Sequence, residues 1–173
     1  MADKGIASLS ASILPDSIKT RLSGVLTYEP SVTLTASTGE AWVYKEHLVT
    51  SSDTAIFAVT DDYIAGKSAG AVGGTAVDTD DKIRWICIEH TGTINGSVAT
   101  AEGVMLGLNE TSAYNLTNGI LIEPNEMLVL KTPNITVAAF KAITCTASGG
   151  VPLAVGGGNN IKIRVAAILV NVD

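Results

Sequence analysis

Short runs of β-branched, aliphatic and aromatic residues begin at Gly24 and recur to the end of the chain, separated by Gly, Asn, Asp and Pro. That spacing is the signature of hairpin-connected strands. It predicts strands near 24–28, 31–36, 41–49, 54–59, 83–90, 103–108, 120–122, 126–132, 137–146 and 161–172. No helix longer than two turns is expected. Residues 1–22 read differently: Asp16 to Leu22 makes at most a turn of helix after Pro15, too short and polar to stand alone. The expected organisation is therefore an N-terminal arm over 1–22, able to order against a neighbour, and a single antiparallel β-sandwich or barrel over 23–173.

The alternation within the strands carries more than their number. A strand with one face in the core and one in water should alternate apolar and polar residues. Several here do not. The run Ile83 to His90 places Ile83, Trp85 and Cys87 on one face and Ile86 and Ile88 on the other, and Met127-Leu128-Val129-Leu130 is apolar on both. The last strand alternates at first, with Ile161 and Ile163 against Lys162 and Arg164, then is apolar from Val165 to Val170. Either loops of the same chain cover the second faces, or neighbouring subunits do. The small-residue loops, Gly66 to Thr75 and Ser148 to Asn160, offer little to pack, so subunit burial is the expectation, and a symmetric homo-oligomer follows.

Composition agrees. Hydrophobic residues make up 46% of the 173 against 16% charged, and the mean hydropathy is +0.34; much apolar surface must find cover. Seventeen acidic against eleven basic residues give a net charge of −6. No window gathers enough Lys and Arg to neutralise a run of phosphates, which disfavours direct nucleic-acid binding. No stretch reaches the ~18 apolar residues of a membrane-spanning helix. The first residues lead into no signal-peptide core, so synthesis in the cytoplasm is expected.

Candidate chemistry is sparse, and no catalytic, cofactor-binding or metal-binding residue is assigned. His47 and His90 read as surface histidines near strand ends, with no Gly-x-Ser-x-Gly elbow to supply a nucleophile. Gly66-Lys67-Ser68 carries the last letters of a P-loop without its upstream glycine or following helix. Asp78-Thr79-Asp80-Asp81 reads as a solvated turn, with a loose calcium site shared with Asp61 and Asp62 as the alternative; Ile83 stands where an EF-hand needs glycine. Cys87 and Cys145 read as buried thiols on paired strands, with a disulfide as the alternative. Trp85 reads as core. Trp42, Tyr44, Tyr63 and Tyr114 are the residues able to form a sugar-stacking platform. The four Asn-x-Ser/Thr sequences, at Asn95, Asn109, Asn115 and Asn134, read as turns.

One resemblance covers roughly residues 80 to 173. Asp80 to Thr93 (DDKIRWICIEHTGT), Gly103 to Leu108 (GVMLGL), Gly119 to Glu126 (GILIEPNE) and Val165 to Leu169 (VAAIL) resemble the small virion proteins of tailed phages, namely capsid decoration or cement proteins with jelly-roll-like sandwiches. The resemblance implies a homotrimer on the capsid exterior that bridges subunits of the major capsid protein and stabilises the shell, with no catalytic residues. The runner-up is a head-fibre or tail-associated module that binds host surface glycans.

Overall fold

The computed structural model describes residues 4–8, 31–35, 40–58, 61, 77–108, 119–146, 154–155 and 159–170. The strand expected at 24–28 and most of the two glycine-rich loops lie outside these residues. Among the described residues the only helical element is a three-residue 3-10 turn, Val137–Ala139. Everything else regular is strand. In chain order these are β1 (Lys4–Ser8), β2 (Ser31–Thr35), β3 (Glu40–Val49), β4 (Thr54–Ala55), β5 (Lys82–Ile94), β6 (Val98–Ala99), β7 (Gly103–Gly107), β8 (Gly119–Ile122), β9 (Met127–Thr136), β10 (Lys141–Thr146), β11 (Ala154–Val155) and β12 (Ile161–Val170).

Two antiparallel sheets form the sandwich. One runs β3-β12-β5-β9, with the short β6 on the same side of β5 as β9; the other runs β4-β10-β7-β8, with β11 pairing β10. Numbering the eight principal strands from β3, the sheets read 1-8-3-6 and 2-7-4-5. That interleaving is a jelly roll, two Greek keys closed by the last strand entering beside the first. β1 and β2 pair with each other from Lys4↔Thr35 to Ser8↔Ser31 and join neither sheet.

The core lies between the sheets. Val43, Ile86, Ile88, Val165 and Ala167 from the first sheet meet Val104, Leu106, Ile122 and Ala142 from the second, and Ile56, Phe57 and Phe140 fill the ends. Burying a side chain of this size removes about 1.5–3 kcal/mol of unfavourable hydration. Edge strand β3 is guarded in a specific way. Lys45 lies opposite Val165 on the inner face, and its ammonium pairs with Asp61 at 2.6 Å. An inward charge on an edge strand discourages a foreign strand from adding there.

β5 departs from strict alternation. Between Ile83 and Trp85 it carries one residue more than β12, and β9 carries an excess of its own across the same gap. Ile83 therefore faces the core together with Ile86 and Ile88, whereas Trp85 and Cys87 face outward, correcting the grouping of Ile83 with those two. Trp85 is accordingly half-buried on the outer face rather than a core residue. The bulge also explains how β9 runs through Pro133 to Thr136: an edge strand tolerates a residue with no N–H. The buried Thr132 hydroxyl donates to the Ile83 carbonyl and satisfies it at the bulge.

Thr132→Val keeps the shape and deletes that donor. It should lower unfolding free energy by about 1–3 kcal/mol, read as a reduced midpoint in urea with an unchanged slope.

Candidate interaction face

Residues that sit opposite one another in an antiparallel ladder share a face, so the registers define the outer surface of the β3-β12-β5-β9 sheet row by row. The middle row is Tyr44, Ala166, Cys87 and Val129. The row below is Trp42, Ile168, Trp85 and Lys131; the row above is Glu46, Arg164, Glu89 and Met127. Two of these three rows are almost wholly apolar. Ile168 is fully buried between the two tryptophans in register. Towards the upper end the face opens: Tyr44 is 53% exposed, Val129 42% and Met127 63%, with Leu48 at 45% on the same side.

Charges bound this surface and largely neutralise one another. Arg164 contacts Glu46 at 3.5 Å and Glu89 at 3.2 Å, and Lys162 also pairs with Glu46. The lysine holds the Glu46 carboxyl below its usual range, and Glu89 raises the Arg164 guanidinium further. At the opposite end Arg84 pairs with Glu40. A cleft of about 260 Å³ lies above the charged row, lined by Glu46, His47, Leu48, Asn95 and Lys162; its ammonium is already held by Glu46.

The other sheet differs. Met105, Ile143 and Cys145 on its outer side form a second apolar cluster with Leu121, and the first three are buried within the single chain. Gly119 permits this, because a Cβ there would come within 2.3 Å of the Met105 sulfur.

Of the two histidines expected at the surface near strand ends, His47 is two residues from the end of β3, half-buried beside the cleft, whereas His90 is not a surface residue. β5 continues to Ile94, so His90 lies inside the strand, faces the core and is fully buried. Its Nδ1 accepts the Gly92 N–H at 2.9 Å, which puts the proton on Nε2, donating to the Glu102 carbonyl at 3.0 Å. The ring is a structural pin, held neutral: burial lowers its pKa. Around it, the Asn125 N–H reaches the His90 carbonyl, the His90 N–H reaches Glu126, and the Thr100 N–H reaches Gly92, whose φ of +69° suits glycine.

His47 also points inward, with Nε2 buried and unpaired, and burial, then Lys45, lowers its pKa to about 4.

The acidic cluster is a turn. The Asp78 N–H donates to the Asp81 carboxylate, which is buried, and the Asp81 N–H returns to the Asp78 carbonyl. Among the described residues no three His, Cys, Asp or Glu side chains gather as a metal site. Cys87 and Cys145 are free and lie in different sheets, correcting the expectation of paired strands; burial raises both thiol pKa values, that of Cys145 to about 11. Of the platform aromatics, Trp42 and Tyr44 share the outer face, while Tyr63 and Tyr114 lie outside the described residues.

The sequence signal for this face was the loss of alternation in β5, β9 and β12. Tyr44 reads there only as a platform aromatic, because β3 is not among the strands read as apolar on both faces although Ala41-Trp42-Val43-Tyr44 is so. Comparison with known protein families, with characterised proteins and with solved structures found no match in any of the three.

Both histidines have folded-state pKa values below the ~6.5 of the unfolded chain, so between the two values the unfolded state binds more protons. Stability should fall as pH drops from about 6.5 toward 4, a window set by His47. Urea midpoints at pH 7 and pH 5 check this, and His47→Gln should flatten the difference. His90→Phe leaves the Gly92 N–H and the Glu102 carbonyl unpaired, costing about 2–4 kcal/mol at pH 7 in the same assay.

Proposed function

We propose that this chain is a non-catalytic structural virion protein that binds the exterior of a phage capsid as a homo-oligomer and stabilises the shell. The observation that carries the assembly half is the outer face of β3-β12-β5-β9, where an apolar row runs from Tyr44, exposed on one edge, through Ala166 and Cys87 to Val129, exposed on the other beside Met127. A contiguous apolar patch with a charged border is the usual form of a protein-binding surface. The strands apolar on both faces, β5, β9 and β12, all lie in this sheet, and their outer residues range from Ile168, buried within the single chain, to Val129 and Met127, which are exposed.

The virion setting rests on the resemblance of residues 80–173 to decoration proteins, which the jelly-roll strand order suits. Three copies per assembly is what that resemblance implies. The β1-β2 ribbon fits as well, because a two-stranded ribbon alone is marginal in water and gains from a partner. Many weak contacts repeated over a shell add through effective concentration.

A second reading, a head-fibre or tail-associated module for host glycans, draws on Trp42 and Tyr44 sharing one face. The aliphatic residues that continue the face to its other edge, Val129 and Met127, favour a protein partner instead.

The test is co-sedimentation of the purified chain with heads stripped of their accessory proteins. Binding should saturate at one fixed high copy number and raise the temperature at which heads rupture. Absence of binding to any shell, with retention on a glycan array that Tyr44→Ala abolishes, would replace this reading with the second.

A further inference from the structure

We propose that the outer face of β3-β12-β5-β9 packs against the same face of a second copy, about a two-fold axis parallel to the strands and passing between β12 and β5. This rests on the homo-oligomeric part of the reading above, takes the contact on this face to be a pair where the resemblance implies three copies, and is independent of the capsid part. It specifies the partner and the register.

Rotation about such an axis keeps each row in place and exchanges β3 with β9 and β12 with β5. In the middle row Tyr44 then meets the partner's Val129, and Ala166 meets the partner's Cys87. Small residues lie at the centre, where two backbones must approach, and larger ones lie at the edges, where twisted sheets diverge. In the row above, Arg164 meets the partner's Glu89. In the row below, Trp42 meets the partner's Lys131, an ammonium over an indole. No charge in these three rows faces its own sign. A two-fold axis running across the strands does worse, setting Glu89 over the partner's Trp85 and Glu46 over the partner's Trp42.

The area is adequate. β3 and β12 are each ten residues long, and four strands spaced about 4.8 Å apart, at about 3.3 Å per residue, present roughly 600 Å². Two such faces cover at most about 1,200 Å², the lower bound of the standard interface class.

A charge-swap pair tests the axis. Arg164→Glu places acidic groups opposite one another across the axis, and Glu89→Arg places basic groups opposite one another. Light scattering should give twice the 17.8 kDa chain mass for the wild type and the single-chain mass for either variant alone. An equimolar mixture should recover the doubled mass, because each variant then supplies the charge the other lacks. A role of these residues inside one chain cannot produce that recovery. Tyr44→Asp, at an exposed site where folding should survive, should also give monomers, with its circular dichroism unchanged.

A monomeric wild type, or a mixture that stays monomeric, overturns the proposal. A wild-type trimer overturns the two-fold contact while leaving the oligomeric virion reading in place. Shell binding by a monomer removes the contact and keeps the capsid role.

Discussion

The pairing of β12 on both of its edges is the constraint on which the rest of the molecule depends. This last strand matches β3 residue for residue from Ile161↔Val49 to Val170↔Glu40, and on its other side takes β5. Until it enters, β3 and β5 belong to no common sheet. Its inward residues, Ile161, Ile163, Val165, Ala167 and Leu169, form the middle of the core. Because its partners lie 67 (Ile161↔Ile94) to 130 (Val170↔Glu40) positions earlier in the chain, loop-closure entropy must be met before the contacts form, as in other all-β folds of high contact order.

Closure by β12 also creates the outer face. Ala166 and Ile168 are apolar on the side away from the core, and their neighbours in register are Tyr44 and Trp42 on β3 and Cys87 and Trp85 on β5. Two tryptophans flank the fully buried Ile168, whereas the small Ala166 leaves Tyr44 standing free. Core and apolar outer face are two sides of one strand: what makes β12 a good central strand also makes its sheet apolar on both faces.

His90 shows how polar groups are accommodated inside this arrangement. A buried imidazole is costly unless both nitrogens are paired, and here both are, to Gly92 and Glu102. The ring ties the far end of β5 to the segment leading into β7. The bulge near Ile83 is handled in the same way, with Thr132 supplying the donor that the ladder lacks there.

Much of this was legible in the sequence, for stated reasons. Period-two and continuous apolar runs fixed the all-β sandwich and placed most of its strands within a few residues, because side-chain alternation is a local property of extended backbone. The same runs showed that β5, β9 and β12 would be apolar on both faces. Which residue faces which way in β5 was not legible: a one-residue bulge at Arg84 inverts the phase of what precedes it, and the bulge exists only through the registers with β9 and β12. The burial of His90, the outward-facing, half-buried position of Trp85 and the separation of the two cysteines into different sheets follow from that register and from the jelly-roll order. Those depend on contacts between distant segments, so tertiary structure alone decided them.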